Sequence, residues 1–276
     1  MFEKTLVPVA SGERPGELRK IGSILKSLGS GSVCLFHVNE AVSFFRGSDL
    51  SWLGPLAQAL EDAGLSVEMK TGTGHIASAI AEAALMEGVD AVYMKAKRRW
   101  HLETMLLGSV SRDLLRLSDV PVFVHKLRPR LPDEEDRLGR EDLIVLYATD
   151  FDAASVRPLP SVMEFQGARC HVLHVRRRMA DPATERRRKE AVDGELHAVA
   201  EDLRPYFGWV TSEQRIGNPG VEALRVSDQI SADVIVLGRK TPAFFSAPMG
   251  DTAERVVNES KASIFLVPHP GTPDGS

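Results

Sequence analysis

The residues best placed for chemistry in this chain would hold a polyanion rather than break a bond. Gly238 follows the apolar run Asp233-Val234-Ile235-Val236-Leu237, and after a loop Gly250-Asp251-Thr252 opens a predicted helix. Glycine lets backbone approach a phosphate, and a helix N-terminus offers free N–H groups and a positive dipole. The N-terminal half holds a related arrangement. There Asp90-Ala91-Val92-Tyr93-Met94 leads into the cationic loop Lys95, Lys97, Arg98 and Arg99, and then into Gly108-Ser109-Val110-Ser111. That loop reads either as an anion clamp or as a solvated charged loop. Asp251 likewise reads either as a metal or ligand residue or as a helix cap or first-turn acid. No Ser/His/Asp or Cys/His pair falls where the topology would bring it together, and no carboxylate pair recurs in both halves, so strong catalysis is not supported.

The elements that must position these residues come in two nearly equivalent sets. Leu6-Val7-Pro8-Val9-Ala10 is answered by Leu146-Tyr147-Ala148-Thr149-Asp150, and Leu35-Phe36-His37-Val38 by Leu173-His174-Val175. Val120-Pro121-Val122-Phe123-Val124 is answered by Ser263-Ile264-Phe265-Leu266-Val267. Such self-similarity predicts two domains of one fold. The first should hold strands at 5–9, 33–38, 66–70, 91–94 and 120–125, with helices carrying Leu18 to Leu28, Leu53 to Leu60, 76–87 and 109–118. The second should hold strands near 143–149, 170–175, 209–215, 234–237 and 263–267, and helices near 153–166, 184–204, 220–230 and 251–260. Alternating β and α elements with right-handed crossovers predict a doubly wound parallel sheet in each half. The Pro-broken polar stretch 128–140 reads as a linker between domains 1–127 and 141–268, and 269–276 as a loose tail.

A net charge of -4, with acids and bases mixed along the chain, gives no global field for nucleic acid or anionic membrane. The arginines at 176–178 and 186–188 lack interleaved aromatics and read as a solvated charged face. Cys34 and Cys170 occupy nearly equivalent strand positions without metal-ligand spacing, and are expected to be buried, reduced thiols. His37 and His174 end buried strands and are expected to be hydrogen-bonded framework residues. No apolar run approaches the roughly 20 residues of a membrane span, and no signal-peptide pattern opens the sequence, so the cytoplasm is the expected compartment.

Together these motifs resemble the universal stress proteins in tandem form. The family pattern joins a first strand ending in Val-Asp or Thr-Asp, a second ending in His-Val, and a glycine signature after strand four that closes on Gly-Ser or Gly-Thr. The resemblance implies the adenine-nucleotide alpha-hydrolase-like fold, with strand order 3-2-1-4-5 in each domain. It also implies an intramolecular pseudo-dimer of the two domains meeting near their last strands, with a homodimer and an unknown protein partner as further associations. In members that hold ATP, the first-strand aspartate and second-strand valine frame adenosine, and the glycine signature wraps the phosphates.

On this resemblance the second domain keeps Asp150, Val175, Gly238, Gly250 and Thr252. Thr241 replaces the middle glycine, Asp251 stands where Ser or Thr is expected, and the loop is one residue shorter than in the first domain. A carboxylate beside a triphosphate repels it by about 1 kcal/mol per charge pair at 4 Å in water. The first domain keeps Val38, Gly108, Ser109 and Ser111, but has Ala10 for the aspartate and Lys95 and Arg98 for the first two glycines. It is expected to be a plain anion pocket or an empty one. The implied function is stress-response signalling or protection linked to weak binding of ATP or another adenine nucleotide, mainly in the second domain, with a divalent metal only alongside nucleotide. The rivals are a scaffold that binds no nucleotide and a slow metal-dependent ATP hydrolase.

Overall fold

The computed structural model describes residues 2–39, 50–96, 108–126, 138, 142–152, 156–165, 167, 169–240 and 249–269. These fall into two units, one drawn from residues up to Ala96 together with Gly108–His125, the other from Lys126 onward.

The first unit contains β1 (Lys4–Val9), α1 (Pro15–Ser27), β2 (Ser32–Asn39), α2 (Leu53–Glu61), β3 (Ser66–Thr73), α3 (Ile76–Met86), β4 (Ala91–Lys95), α4 (Ser109–Leu117) and β5 (Val122–His125). Its strands run in the order β3-β2-β1-β4-β5 and pair in parallel. Parallel strands are covered by helices on both faces, so their sequences are continuous apolar runs rather than alternating ones. Val33, Cys34, Leu35 and Phe36 of β2 are accordingly all buried, as are Val92, Tyr93 and Met94 of β4. The edge strand β3 is largely exposed and carries Glu68 and Lys70, charges that discourage edge-to-edge association.

The second unit contains β6 (Ile144–Ala148), α5 (Leu159–Glu164), β7 (Arg169–Arg176), α6 (Pro182–Leu203), β8 (Trp209–Ile216), α7 (Pro219–Ile230), β9 (Val234–Lys240), α8 (Asp251–Glu259) and β10 (Ser263–His269). Within it the strands run β8-β7-β6-β9-β10, the same order as the first unit's, again in parallel. The sheet class, the parallel pairing and the strand order of each unit are those expected from the sequence. His269 closes β10 instead of starting a tail, and the rest of the expected tail, 270–276, lies outside the described residues, as does nearly all of the expected linker.

One element departs further. Within the helix expected over 153–166, Val156 is helical, residues 157–158 form a turn and Leu159–Glu164 form a regular helix, while 153–155 and 166 lie outside the described residues. Pro158 and Pro160 have no N–H to donate, and their rings exclude the carbonyl one turn earlier, so a continuous helix cannot pass through them. Both prolines instead lie at the helix start, where the missing donors cost nothing. The cysteines match expectation: both are free and buried, and burial raises the Cys34 thiol to about 11 and that of Cys170 to about 12. None of the helices among the described residues is long and apolar enough to cross a membrane.

In the first unit α1 buries Leu18, Ile21, Gly22, Ile24 and Leu25 and packs against α2, which buries Leu56 and Leu60. Gly22 sets the approach of these helices, because a Cβ there would lie 2.7 Å from Cβ of Ala63 and 3.3 Å from Cδ2 of Leu60. Alanine ordinarily gains about 1 kcal/mol over glycine within a helix. Ala63 cannot rotate its Cβ aside, and overpacking of a core costs about 1–3 kcal/mol. Gly22→Ala is therefore expected to lower stability by about 1 kcal/mol in urea unfolding, and an increase in stability would show that the two helices separate freely.

Candidate functional site

In an open parallel sheet the crevice lies outside the carboxyl ends of the strands, where neighbouring crossovers diverge. In the second unit that place is between β6 and β9. The pairings Ala148↔Leu173 and Ala148↔Leu237 bring the carboxyl ends of β7, β6 and β9 side by side. Asp150, Val175 and Gly238 consequently share one end of the sheet. Asp150 is exposed, whereas Val175 and Gly238 are half-buried.

The turn after β6 is tightly specified. Asp150 Oδ1 accepts a hydrogen bond from the Asp152 N–H at 3.2 Å, and Thr149 Oγ1 accepts from the Phe151 N–H at 3.1 Å. These side chains replace backbone turn bonds. They hold Phe151 at a φ of 63°, a left-handed conformation costing a non-glycine residue on the order of 1–3 kcal/mol. The Phe151 ring stacks on His174 with centroids 4.8 Å apart and planes 12° from parallel. His174 Nδ1 lies 3.0 Å from the Thr149 carbonyl, which only accepts, so Nδ1 carries the hydrogen. Its Nε2 is buried without a hydrogen-bond partner. Burial holds this imidazole below the usual histidine range; the Thr149 bond and Asp150 act against that shift, while Arg188 and Arg176 add to it.

The same bond recurs in the first unit, where His37 Nδ1 lies 2.9 Å from the Val9 carbonyl and the ring meets Trp52 edge-on at 4.9 Å. Both histidines thus tie the second strand of their sheet to the end of the first.

Beyond β9, Thr241 lies outside the described residues. Gly250 caps α8 with a φ of 98°, which favours glycine, and a Cβ there would meet nothing within 4 Å. Asp251 is the first residue of α8 and is exposed; Thr252 is half-buried. The cap position belongs to Gly250, so Asp251 acts on its helix through the dipole, as a first-turn acid rather than as a cap.

The first unit is arranged differently. Lys95 ends β4, and its Nζ lies 3.1 Å from Glu13 Oε2, in the loop after β1, and also bonds Glu17 in the first turn of α1. The lysine and Glu13 side chains are only 20% and 19% exposed, while Glu17 is half-exposed. Burial alone would lower the lysine's affinity for its proton, but Glu17 and Glu13 together raise it; Lys95 in turn holds Glu17 below the usual carboxylate range. Val38 is buried, Gly108 caps α4, Ser109 begins that helix exposed, and Ser111 is half-buried. Arg98 lies outside the described residues, as do Lys97 and Arg99.

Sequence reading missed these acidic partners, although Glu17 in a helix first turn after a Gly-containing loop was a usable signal. It also misplaced Arg176, which is not part of a solvated face. Arg176 is buried at the end of β7, where Nη1 bonds Glu185 at 2.7 Å and Nε bonds Gln214 at 2.5 Å. Arg177, Arg178, Arg186, Arg187 and Arg188 are exposed. Among the described residues no three His, Cys, Asp or Glu side chains cluster to hold a metal.

The profile of the Universal stress protein family matches the chain twice, over residues 1–126 and 143–268. The chain belongs to the universal stress protein family. Comparison with curated proteins finds no match. Among solved structures, a universal stress protein from Archaeoglobus fulgidus superposes with a TM-score of 0.67 at 22% identity, covering 96% of this chain and 98% of its own. One from Pseudomonas aeruginosa superposes with a TM-score of 0.73 at 18% identity, covering 97% of this chain and 93% of its own. At these identities the likeness concerns the fold, and both relatives are matched over nearly their whole length.

The ion triad of the first universal stress protein domain yields a pH test. The Glu17 carboxylate is bound more tightly in the folded state, so its contribution is present above the ordinary glutamate pKa near 4.5 and lost as pH falls through the depressed value. Glu17 is half-exposed, which limits that contribution to less than about 1 kcal/mol. Glu17→Gln is therefore expected to be slightly less stable than the parent at pH 7 in urea unfolding. The gap should close as the pH is lowered below the ordinary glutamate value and through the depressed one, and a gap independent of pH would assign it to packing instead.

Proposed function

We propose that this universal stress protein acts in stress-response signalling or protection, and that it binds an adenine nucleotide weakly, mainly in its second domain. The observation carrying this reading is the exposed Asp150 carboxylate at the sheet end shared with Val175 and Gly238. A carboxylate there can accept hydrogen bonds from ribose hydroxyls, and glycine at 238 leaves backbone accessible to the ligand. The residues fit the adenosine part of such a ligand. At Gly250 the open space and the free N–H groups of α8 suit phosphate, while the charge of Asp251 opposes it. Weak affinity follows from that opposition. The cytoplasm is the compartment we propose.

Calorimetry with ATP, ADP and AMP tests the assignment. Asp150→Ala should weaken all three about tenfold, the loss of one or two good hydrogen bonds. If Asp150→Ala leaves binding unchanged while Lys95→Ala abolishes it, the nucleotide belongs to the first domain.

Asp251→Ser separates an eroded phosphate site from a remodelled one. Removing about 1 kcal/mol of repulsion should tighten ATP about fivefold, AMP less, with the gain shrinking in added salt. Weakening that appears only with magnesium or manganese present would instead make Asp251 a metal-bridging residue. Metal-dependent phosphate release would then favour slow hydrolysis, and a protein that neither binds nor turns over nucleotide would be a scaffold.

A further inference from the structure

The triad of Lys95, Glu13 and Glu17 stands at the switch point of the first sheet, where β1 pairs with β4 and the two strands send their helices in different directions. Its members come from the end of β4, the loop after β1 and the first turn of α1, so they converge across the mouth of the crevice. Lys95 is the cation such a place would offer to an anion, and its Nζ is already held by two carboxylates.

The second repeat lacks every member. Aligning Leu6 to Ala10 with Leu146 to Asp150 puts Ala153 opposite Glu13 and Arg157 opposite Glu17, and the fourth strands put Gly238 opposite Lys95. The two carboxylates are therefore private to the first domain. Where the first domain has an acid in the opening turn of its first helix, the second has an exposed arginine.

We propose that Glu13 and Glu17 are an internal substitute for phosphate: they satisfy Lys95, close the first crevice to anions, and leave behind them a latent site for an oligophosphate. The division of labour between the domains then has a physical cause. The first domain carries its anion covalently, as two side chains, and the second must take its anion from solution. This deepens the nucleotide assignment above and rests on it for the role of the second domain, but the closure of the first stands on its own geometry. Mixed charge of this kind also explains why a cationic residue in a glycine position is tolerated. Burial works against the charge of Lys95, and the two carboxylates more than offset that pull.

The test is calorimetric titration of the full chain with inorganic tripolyphosphate, which lacks the base and ribose that Asp150 would contact. Glu13→Gln/Glu17→Gln keeps side-chain shape while removing two charges, each worth about fivefold against a phosphate charge in water. The double variant is expected to bind tripolyphosphate at least about tenfold tighter than the parent, in a salt-sensitive way, and addition of Lys95→Ala should abolish the gain. No gain, or a gain that survives Lys95→Ala, overturns the proposal. So does a parent protein whose tripolyphosphate binding is lost on Lys95→Ala alone, because its site would then be open already. Should the double variant unfold early, the single Glu17→Gln at the half-exposed position is the second measure, with about a fivefold gain expected and none overturning the idea. Asp150→Ala in parallel keeps the two readings apart: unchanged ATP binding in that variant counts against the nucleotide assignment, whereas only the Lys95-dependent gain bears on the closed crevice.

Discussion

Parallel pairing between strands that are not neighbours in sequence is the constraint on which both sites depend. β1 lies between β2 and β4, and β6 between β7 and β9, so crossovers leave the central strand toward both sides of the sheet. The crevice lies at the carboxyl ends where they diverge, which puts Ala10 and Lys95 at the same end of one sheet and Asp150 and Gly238 at the same end of the other. The imidazole-to-carbonyl bonds of His37 and His174 act on the same spot, fixing the end of the first strand against the second.

What each surface can accept is then a matter of charge and exposure. In the first unit the partly buried Lys95 is held by two carboxylates whose attraction offsets the desolvation of its charge. In the second unit Asp150 and Asp251 are exposed, so water screens their charges. Arg176 shows the third arrangement: it is as buried as a core residue, with its guanidinium engaged by Glu185 and Gln214, and it serves the β7–α6 junction rather than the surface. Phe151 adds local strain at the lip of the crevice, held by the Thr149 hydroxyl and by stacking on His174. Strain of this kind persists only where surrounding contacts over-determine it.

The amino-acid sequence by itself determined the repeat and the alternation of strands and helices, and its family resemblance implied the strand order of each domain. Strands buried on both faces must be apolar throughout, and that leaves an unambiguous run in the sequence; β2 and β4 are read directly for this reason. That Asp150, Val175 and Gly238 share one end of a sheet was legible because residues at or near the carboxyl ends of parallel strands have their place set by topology. The partners of Lys95 were not legible, being 82 and 78 residues away in the chain. Nor was the burial of Arg176, which the neighbouring exposed arginines disguise. Only the tertiary structure decided these, because whether two charges meet depends on the distance between strand ends and on how far helices exclude water there, and neither quantity has a period in the sequence.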